Sequence, residues 1–271
     1  MAGQLTTHYA KVVRQRIADW PAEPEMADLN ELLRTVGRWR SRVLVRTFLA
    51  RSGQRIAGGL FAGMDYVADA AEGALMPRLL GTYESELHPH IAAIAGQGLD
   101  CVIDVGCAEG YYAVGLARMM PGVVVHAHDI DPKARAACAD LAARNGVADR
   151  VMIGGEFRPD GFQAFAGRRV LVVVDAEGAE VDILQPALSP ALAGMTVIVE
   201  THDLYRPGAL AAMTERFSPT HDILRVDQQP KTFDMPDWLR DLPHLDQLLA
   251  VWEWRENPTP WLIMTPRTDP R

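Results

Sequence analysis

Cysteine is scarce in this sequence. Its 271 residues include only three cysteines, Cys101, Cys107 and Cys138, and no two of them have CxxC spacing. An odd number without that spacing indicates neither a disulfide framework nor a thiolate zinc site. We therefore interpret the three thiols as structural.

A long apolar run is also missing. No stretch approaches the roughly 18 uncharged apolar residues that a membrane-spanning helix needs. The N-terminus, MAGQLTTHYAKVV, lacks the apolar centre of a secretory signal. The sequence therefore predicts no membrane association and a cytoplasmic location.

Excess positive charge is absent from the chain as a whole. The formal net charge is −8 and the pI is near 5.5, which argues against nucleic acid as a partner, since a general binder needs excess Lys and Arg. One segment differs, because no acid occurs between Leu32 and Met64. Seven arginines accumulate there: Arg34, Arg38, Arg40, Arg42, Arg46, Arg51 and Arg55. This run is either a surface for an anionic substrate or partner, or a solvated helix face.

From about residue 100, apolar strands alternate with helical segments rich in Ala and Leu. Continuous apolar strands indicate burial on both faces, as in a parallel sheet covered by helices. The predicted fold is therefore α/β, with a doubly wound, mostly parallel sheet of seven strands. The predicted strands are 101–105, 123–128, 150–153, 169–174, 195–199, 221–226 and 261–265, and the predicted helices between them are 110–119, 132–145 and 179–188.

The chain divides near residue 98. Residues 1–98 contain no strand run and predict helices broken near 19–25 and 52–64, so we interpret them as a helical N-terminal extension that covers the substrate. Residues 99–271 are predicted to form the α/β domain, with an insertion at about 230–258. A long connection of this kind is expected to cover something. Its tryptophans, Trp238, Trp252 and Trp254, either close over an acceptor pocket or pack a small subdomain.

A glycine-rich turn, CVIDVGCAEGYY at 101–112, follows the first strand. Ligands bind at the carboxyl ends of parallel strands, and Gly106 and Gly110 would let the backbone approach one. The helix that follows offers unpaired N–H groups that suit a pyrophosphate. However, the third glycine of G-x-G-x-x-G is missing, and the acids Asp104 and Glu109 would repel that group. A nucleoside carrying an amino acid fits this turn better than NAD.

The motifs from about residue 80 to 227 resemble the class I S-adenosylmethionine-dependent methyltransferases. VIDVGCAEGYY resembles their first motif, HAHDIDP the acidic end of their second strand, and DRVMIGGEF their adenine-side motif. The resemblance implies a Rossmann-like methyltransferase fold and S-adenosylmethionine as cofactor. It also implies that Asp129 accepts hydrogen bonds from the ribose hydroxyls and that Glu156 lies near the adenine amine. The implied cofactor-binding residues are Tyr83, Glu84, Asp104, Gly106, Glu109, Gly110, Asp129, Ile130, Glu156 and Asp175.

Two further motifs indicate a particular subgroup of these methyltransferases. VVVDAEGAEVDIL resembles the strand-four motif of FkbM-like small-molecule methyltransferases, and GTYESELHP resembles a preceding segment that lines the methionine end of the cofactor. They imply methylation of a small-molecule acceptor, at oxygen in the first place, with nitrogen and carbon as open alternatives. The (N/D)PP(Y/F) motif of many nucleic-acid and protein-glutamine methyltransferases is replaced by DAEG. A protein or RNA methyltransferase and a non-catalytic cofactor-binding protein remain alternatives, and the sequence is compatible with a homodimer.

Polar side chains follow the fourth and fifth predicted strands: Asp175 comes after one, and Glu200 and His202 after the other. Parallel neighbours bring such ends within several ångströms of each other. Two carboxylates and an imidazole can hold a divalent ion such as Mg²⁺ or Mn²⁺. Alternatively, His202 or Asp175 acts as a general base without metal, or the residues only shape the pocket.

Overall fold

The computed structural model describes residues 3–67 and 74–267. Seven strands of these residues form one sheet in the order β3-β2-β1-β4-β5-β7-β6. All neighbours are parallel except β7, which is antiparallel to both β5 and β6. This is the Rossmann-like methyltransferase fold, and it confirms the predicted fold class. The strands are β1 Cys101–Val105, β2 Val124–His128, β3 Val151–Gly154, β4 Val170–Val174, β5 Thr196–Glu200, β6 His221–Val226 and β7 Trp261–Pro266, each within one residue of its predicted bounds.

The register of the central strands determines which side chains meet at the edge of the sheet. Every residue of β1, β4 and β5 is buried, as expected for strands covered on both faces. Val105 of β1 pairs with Val174 of β4, and Val174 is level with Val199 of β5. The residues that follow these strands therefore emerge side by side.

Helices cover both faces of the sheet. The described α-helices are α1 Gln4–Ala18, α2 Met26–Ser52, α3 Leu75–Leu80, α4 His88–Ala95, α5 Tyr111–Met119, α6 Pro132–Arg144, α7 Glu180–Ile183, α8 Ala209–Phe217, α9 Asp237–Arg240 and α10 His244–Ala250. The prediction of a helix over 179–188 was wrong in length, because α7 makes a single turn. Pro186 explains this, since proline lacks the N–H donor and disfavours helical backbone in the residue before it.

The described part of the N-terminal segment is helical, as predicted, with a break between α1 and α2 and another after Ser52. Helix α1 buries no residue. In contrast, Leu44 and Phe48 of α2 belong to the same hydrophobic core as Val114 of α5. The C-terminal half of α2 therefore packs as part of the sheet domain.

Cys101, Cys107 and Cys138 are buried and free, which confirms that they form no disulfide. None of the described helices has both the length and the apolar character needed to cross a bilayer.

Candidate functional site

A pocket of about 460 Å³ opens at the carboxyl ends of β1, β2 and β4, and we call it the strand-end pocket. It lies where the chain order reverses, between β1 and β4, the position at which open α/β sheets bind ligands. Five of the predicted cofactor residues line it. They are Gly106, Asp129, Ile130, Glu156 and Asp175.

The glycine turn after β1 brings three strand ends together. Gly106 has a φ of +83°, and a Cβ there would lie 1.7 Å from the carbonyl oxygen of Asp175. The N–H of Gly106 donates to the carbonyl of His128, at 2.8 Å. Only glycine allows this approach, so the turn fixes the ends of β1, β2 and β4 around the pocket.

The carboxylate of Asp129 is held in place at the end of β2. One oxygen accepts from the N–H of Ala108 at 2.9 Å, and the other from the N–H of Asp131 at 2.8 Å. Each carboxylate oxygen keeps capacity for another donor. Beside it, Ile130 and Glu156 form an exposed rim, and the ring of Phe157 packs edge-on against His128. The pocket thus has a fixed acceptor next to an aromatic surface.

Asp104 lies beneath this site, at the end of β1, and does not line the pocket. Its side chain is buried, and Oδ2 has no hydrogen-bond partner among the described residues. Burial, together with the negative charge of Asp175, raises the pKa of Asp104 to about 7, and a hydrogen bond from the N–H of Ala113 partly opposes this. Asp104 is therefore poised between its neutral and charged forms near neutral pH.

Other predicted cofactor residues lie outside the strand-end pocket. Glu109 is buried, accepts a hydrogen bond from the hydroxyl of Tyr66 at 2.5 Å and pairs with Arg78 at 3.1 Å. The ring of Tyr83 lies under the Arg78 guanidinium, 4.3 Å away.

Glu84 and Gly110 also lie outside the pocket. The carboxylate of Glu84 is buried and pairs with the hydroxyl of Tyr112. Gly110, at the start of α5, faces the Cys138 thiol rather than the pocket.

The structure brings together Asp175, Glu200 and His202, which we call the acid–histidine cluster. One nitrogen or oxygen atom from each lies within 4.8 Å of the others. Nε2 of His202 is 3.6 Å from Oδ1 of Asp175 and 3.6 Å from Oε2 of Glu200, too far for hydrogen bonds. Its other nitrogen, Nδ1, bonds Glu180 at 2.5 Å. The imidazole is thus oriented by one carboxylate and directed at two others.

The cluster has an electrostatic environment that suits a cation. Burial disfavours the charged imidazole, but the hydrogen bond to Glu180 and the charge of Asp175 outweigh it and raise the pKa of His202. The enclosed position of Asp175 raises its pKa to about 7. The negative charge of Glu84 adds to this rise, and the charge of His202 opposes it. Oδ1 of Asp175 also lacks a hydrogen-bond partner among the described residues. A carboxylate-oriented histidine facing carboxylates is a common arrangement around protein-bound metals.

Two residues of this site were not predicted from the sequence. Glu180 also accepts from the N–H of Gly178 at 3.0 Å, and its position within the strand-four motif VVVDAEGAEVDIL was the available signal. Arg255 comes from the insertion and forms ion pairs with Glu84 and Glu200. No motif marks Arg255, because its partners lie far away in the chain.

The arginine run of α2 packs against the insertion. The ring of Trp254 lies 5.9 Å from the guanidinium of Arg38 and 5.6 Å from that of Arg42. Arg40 forms a two-pronged ion pair with Asp246, with both distances 2.6 Å. These arginines therefore have intramolecular partners, whereas Arg46 and Arg51 are exposed.

The sheet order and the strand-end pocket together define a Rossmann-like α/β protein of the methyltransferase type of fold. No protein-family model matches the chain, and no curated protein matches it. Similar solved structures include an O-methyltransferase from Bacillus cereus in complex with SAH, 14% identical, with a TM-score of 0.44 over 65% of this chain and 78% of that one. They also include the human methyltransferase 10 domain containing protein, 12% identical, with a TM-score of 0.49 over 84% of this chain and 96% of that one. An rRNA methylase from Streptococcus thermophilus is 13% identical, with a TM-score of 0.43 over 66% and 94% of the two chains. Matches at this level do not specify a substrate.

Proposed function

We propose that the protein is an S-adenosylmethionine-dependent methyltransferase. The strand-end pocket carries this proposal, because it places the fixed carboxylate of Asp129 at the end of β2, where a nucleoside ribose can donate both hydroxyls to it. Phe157 offers an apolar wall to the adenine, and Glu156 on the rim can accept from its amine. When bound, the cofactor supplies an activated methyl group.

The acceptor we propose is a hydroxyl of a small molecule, as in the FkbM-like enzymes that the VVVDAEGAEVDIL motif resembles. A hydroxyl must lose its proton as it is methylated. Asp175 both lines the strand-end pocket and belongs to the acid–histidine cluster, so the cluster adjoins the pocket proposed for the cofactor. It is the group of side chains best placed to receive that proton.

We further propose that Asp175, Glu200 and His202 hold a divalent cation, Mg²⁺ or Mn²⁺. The donor set fits: hard carboxylate oxygens suit these ions, and Glu180 fixes the imidazole with Nε2 directed at the two carboxylates. When bound, such an ion lowers the pKa of a hydroxyl at the site. The remaining alternative is a metal-free site in which His202 or Asp175 takes the proton.

Calorimetry tests the cofactor assignment. S-adenosylhomocysteine should give a binding isotherm and NAD none, because acids that line the strand-end pocket, among them Asp129 and Glu177, would repel the pyrophosphate of NAD. Tight NAD binding without heat from S-adenosylhomocysteine would refute the proposal.

Incubation with methyl-labelled cofactor and a cell extract then separates the acceptor classes. Label in small molecules supports the proposal, whereas label in protein or RNA, or no label, contradicts its acceptor class.

Metal binding is tested separately from turnover. Mn²⁺ should bind the wild-type protein, as followed by electron paramagnetic resonance, and His202→Ala and Asp175→Asn should weaken that binding. Chelator should abolish methyl transfer, and Mg²⁺ or Mn²⁺ should restore it. If activity instead resists chelator and falls as the pH drops through a value above the ordinary imidazole pKa of about 6.5, His202 acts as a base. Chelator resistance with near-normal rates for both variants would exclude both roles.

A further inference from the structure

Arg255 brings a positive charge from the insertion to the acid–histidine cluster. Its side chain is only 15% exposed, and its nitrogens contact three buried carboxylates. Nε donates to Oε2 of Glu253 at 3.0 Å. One terminal nitrogen pairs with Oε1 of Glu84 at 2.5 Å, and the other pairs with Oε1 of Glu200. A planar guanidinium held on three sides has little freedom to rotate, so Arg255 is a fixed group of the protein interior.

The residues before Arg255 are held by partners of their own. Trp254 has a φ of +65°, an angle that residues with large side chains seldom adopt, and its ring contacts two arginines of α2. Glu253 pairs with Lys231 at 2.7 Å and accepts a hydrogen bond from the N–H of Glu84 at 2.9 Å. Backbone strain of this kind persists only where the surrounding structure imposes it. The position of Arg255 is therefore determined by contacts on both sides.

The contact with Arg255 determines which oxygen of Glu200 faces the cluster. Oε1 of Glu200 accepts from Arg255 and also from the hydroxyl of Thr259, at 2.6 Å. Oε2 is 3.6 Å from Nε2 of His202. Because a carboxylate rotates as a planar unit, two donors that hold Oε1 also fix the direction of Oε2. Carboxylate ligands of metal sites are commonly held in this way by neighbours that do not touch the metal.

We propose that Arg255 is a positioning residue for the divalent cation: it holds Oε1 of Glu200 so that Oε2 stays beside His202 and Asp175. This inference rests on the metal site proposed above. Arg255 itself does not coordinate the ion, because a guanidinium has no acceptor atom. Lysine cannot take over its role, since an ammonium on a flexible stem does not hold three carboxylates in fixed directions. Through Arg255, the insertion completes the acid–histidine cluster.

Mn²⁺ binding to the full chain, followed by electron paramagnetic resonance, tests this role without measuring turnover. Arg255→Lys keeps the charge but loses the planar contacts, so it should weaken Mn²⁺ binding by about 10- to 100-fold, the scale for losing a supporting contact of a metal ligand. Arg225→Lys is the matched control and should leave the affinity unchanged, because Arg225 is exposed on β6 and pairs with Asp227 at 2.6 Å. Circular dichroism should show both variants folded. If Arg255→Lys does not fold, Thr259→Val removes the other donor to Oε1 of Glu200 and should also weaken the binding. Unchanged affinity in that variant would then overturn the inference.

A double-mutant cycle separates positioning from general structural damage. In a Glu200→Gln background the charged ligand is already missing, so Arg255→Lys should change the Mn²⁺ affinity by less than about 3-fold, because residues that act through one contact are not additive. Full additivity, or an Arg255→Lys protein that binds Mn²⁺ like the wild type, would overturn the inference and leave the proposed metal site intact. A wild-type protein that binds no Mn²⁺ would overturn both. Calorimetry with S-adenosylhomocysteine then shows whether the methyltransferase assignment itself survives.

Discussion

At the scale of single residues, Asp129 is the most direct test of the strand-end pocket. We expect Asp129→Ala to cost roughly 1–3 kcal/mol of cofactor affinity, the scale for unpairing hydrogen bonds to a charged group. Calorimetric titration with S-adenosylhomocysteine measures this loss. Asp149→Ala serves as the control, because Asp149 is an exposed acid outside the pocket. Equal affinities for the two variants would show that Asp129 does not bind the ribose of the cofactor.

Asp104 makes the stability of the cofactor-free protein depend on pH. The carboxyl has a pKa near 3.8 when unfolded and about 7 when folded. Its contribution to stability is therefore fully present below pH 4 and is lost as the pH rises through 7, where the buried group must become charged. Asp104→Asn keeps the shape and stays neutral. We expect it to raise the melting temperature above that of the wild type, by more at pH 8 than at pH 5, with chelator present throughout.

Thermal melts at the two pH values measure this difference. The Asp149→Asn variant is the control, because an exposed acid should shift the melting temperature little at either pH. A stabilisation by Asp104→Asn that is the same at pH 5 and pH 8 would show that burial does not perturb Asp104 in the way described.

Residues that directly follow strands were the predictable part of the site. Asp175, Glu200 and His202 converge because parallel strands end at one edge, a consequence of sheet geometry alone. The directions of Glu84 and Glu109 were not predictable. Glu84 has a φ of +48°, and Ala108, just before Glu109, has a φ of +45°. Non-glycine residues seldom adopt such angles, so the residue types around them do not reveal these turns.

At the scale of elements, the insertion is attached through a buried cation. Lys231 pairs with Glu86 at 2.5 Å and with Glu253 at 2.7 Å, and all three side chains are almost fully buried. We expect Lys231→Met to destabilise the protein by about 3–5 kcal/mol, because it leaves the buried carboxylate of Glu86 without its cation and Glu253 with Arg255 alone. Urea unfolding measures the change. Lys133→Met, at an exposed lysine, should change the free energy of unfolding little, and a similar small effect at Lys231 would contradict the prediction.

Elements buried on both faces were the ones whose bounds the sequence predicted best. A central strand such as β4 is an unbroken apolar run, so its ends are visible as changes in composition. The insertion had no such signal. Its two short helices, α9 and α10, are held by contacts such as the ion pair between Arg40 and Asp246, whose partners are 206 residues apart. Pairing over that distance depends on the folded chain and leaves no local pattern.

At the scale of the whole molecule, the two ends of the N-terminal segment should respond differently to deletion. Removing residues 1–19 takes away α1, which buries no residue, so we expect a loss of less than about 2 kcal/mol in the free energy of unfolding. Removing residues 1–74 also deletes the buried side chains of Leu44, Phe48, Phe61 and Tyr66. Since each large core deletion costs about 3–5 kcal/mol, that chain should not fold.

Soluble expression and circular dichroism distinguish the two deletions. A chain that begins at Leu75 and melts cooperatively would show that the sheet folds without α2, contrary to this expectation. If it also retained affinity for S-adenosylhomocysteine, the N-terminal segment would serve the acceptor alone.

The position of β7 has a consequence for how the protein is made. This strand is the last of the seven to be synthesised, yet it lies between β5 and β6. At translation rates of about 5–20 residues per second, the nascent chain waits several seconds with β5, Thr196–Glu200, presenting an open apolar edge. Unpaired edges of this kind recruit other chains. Ribosomes stalled before Trp261 should therefore release products that aggregate, and chaperones that shield the nascent chain should matter most during that interval.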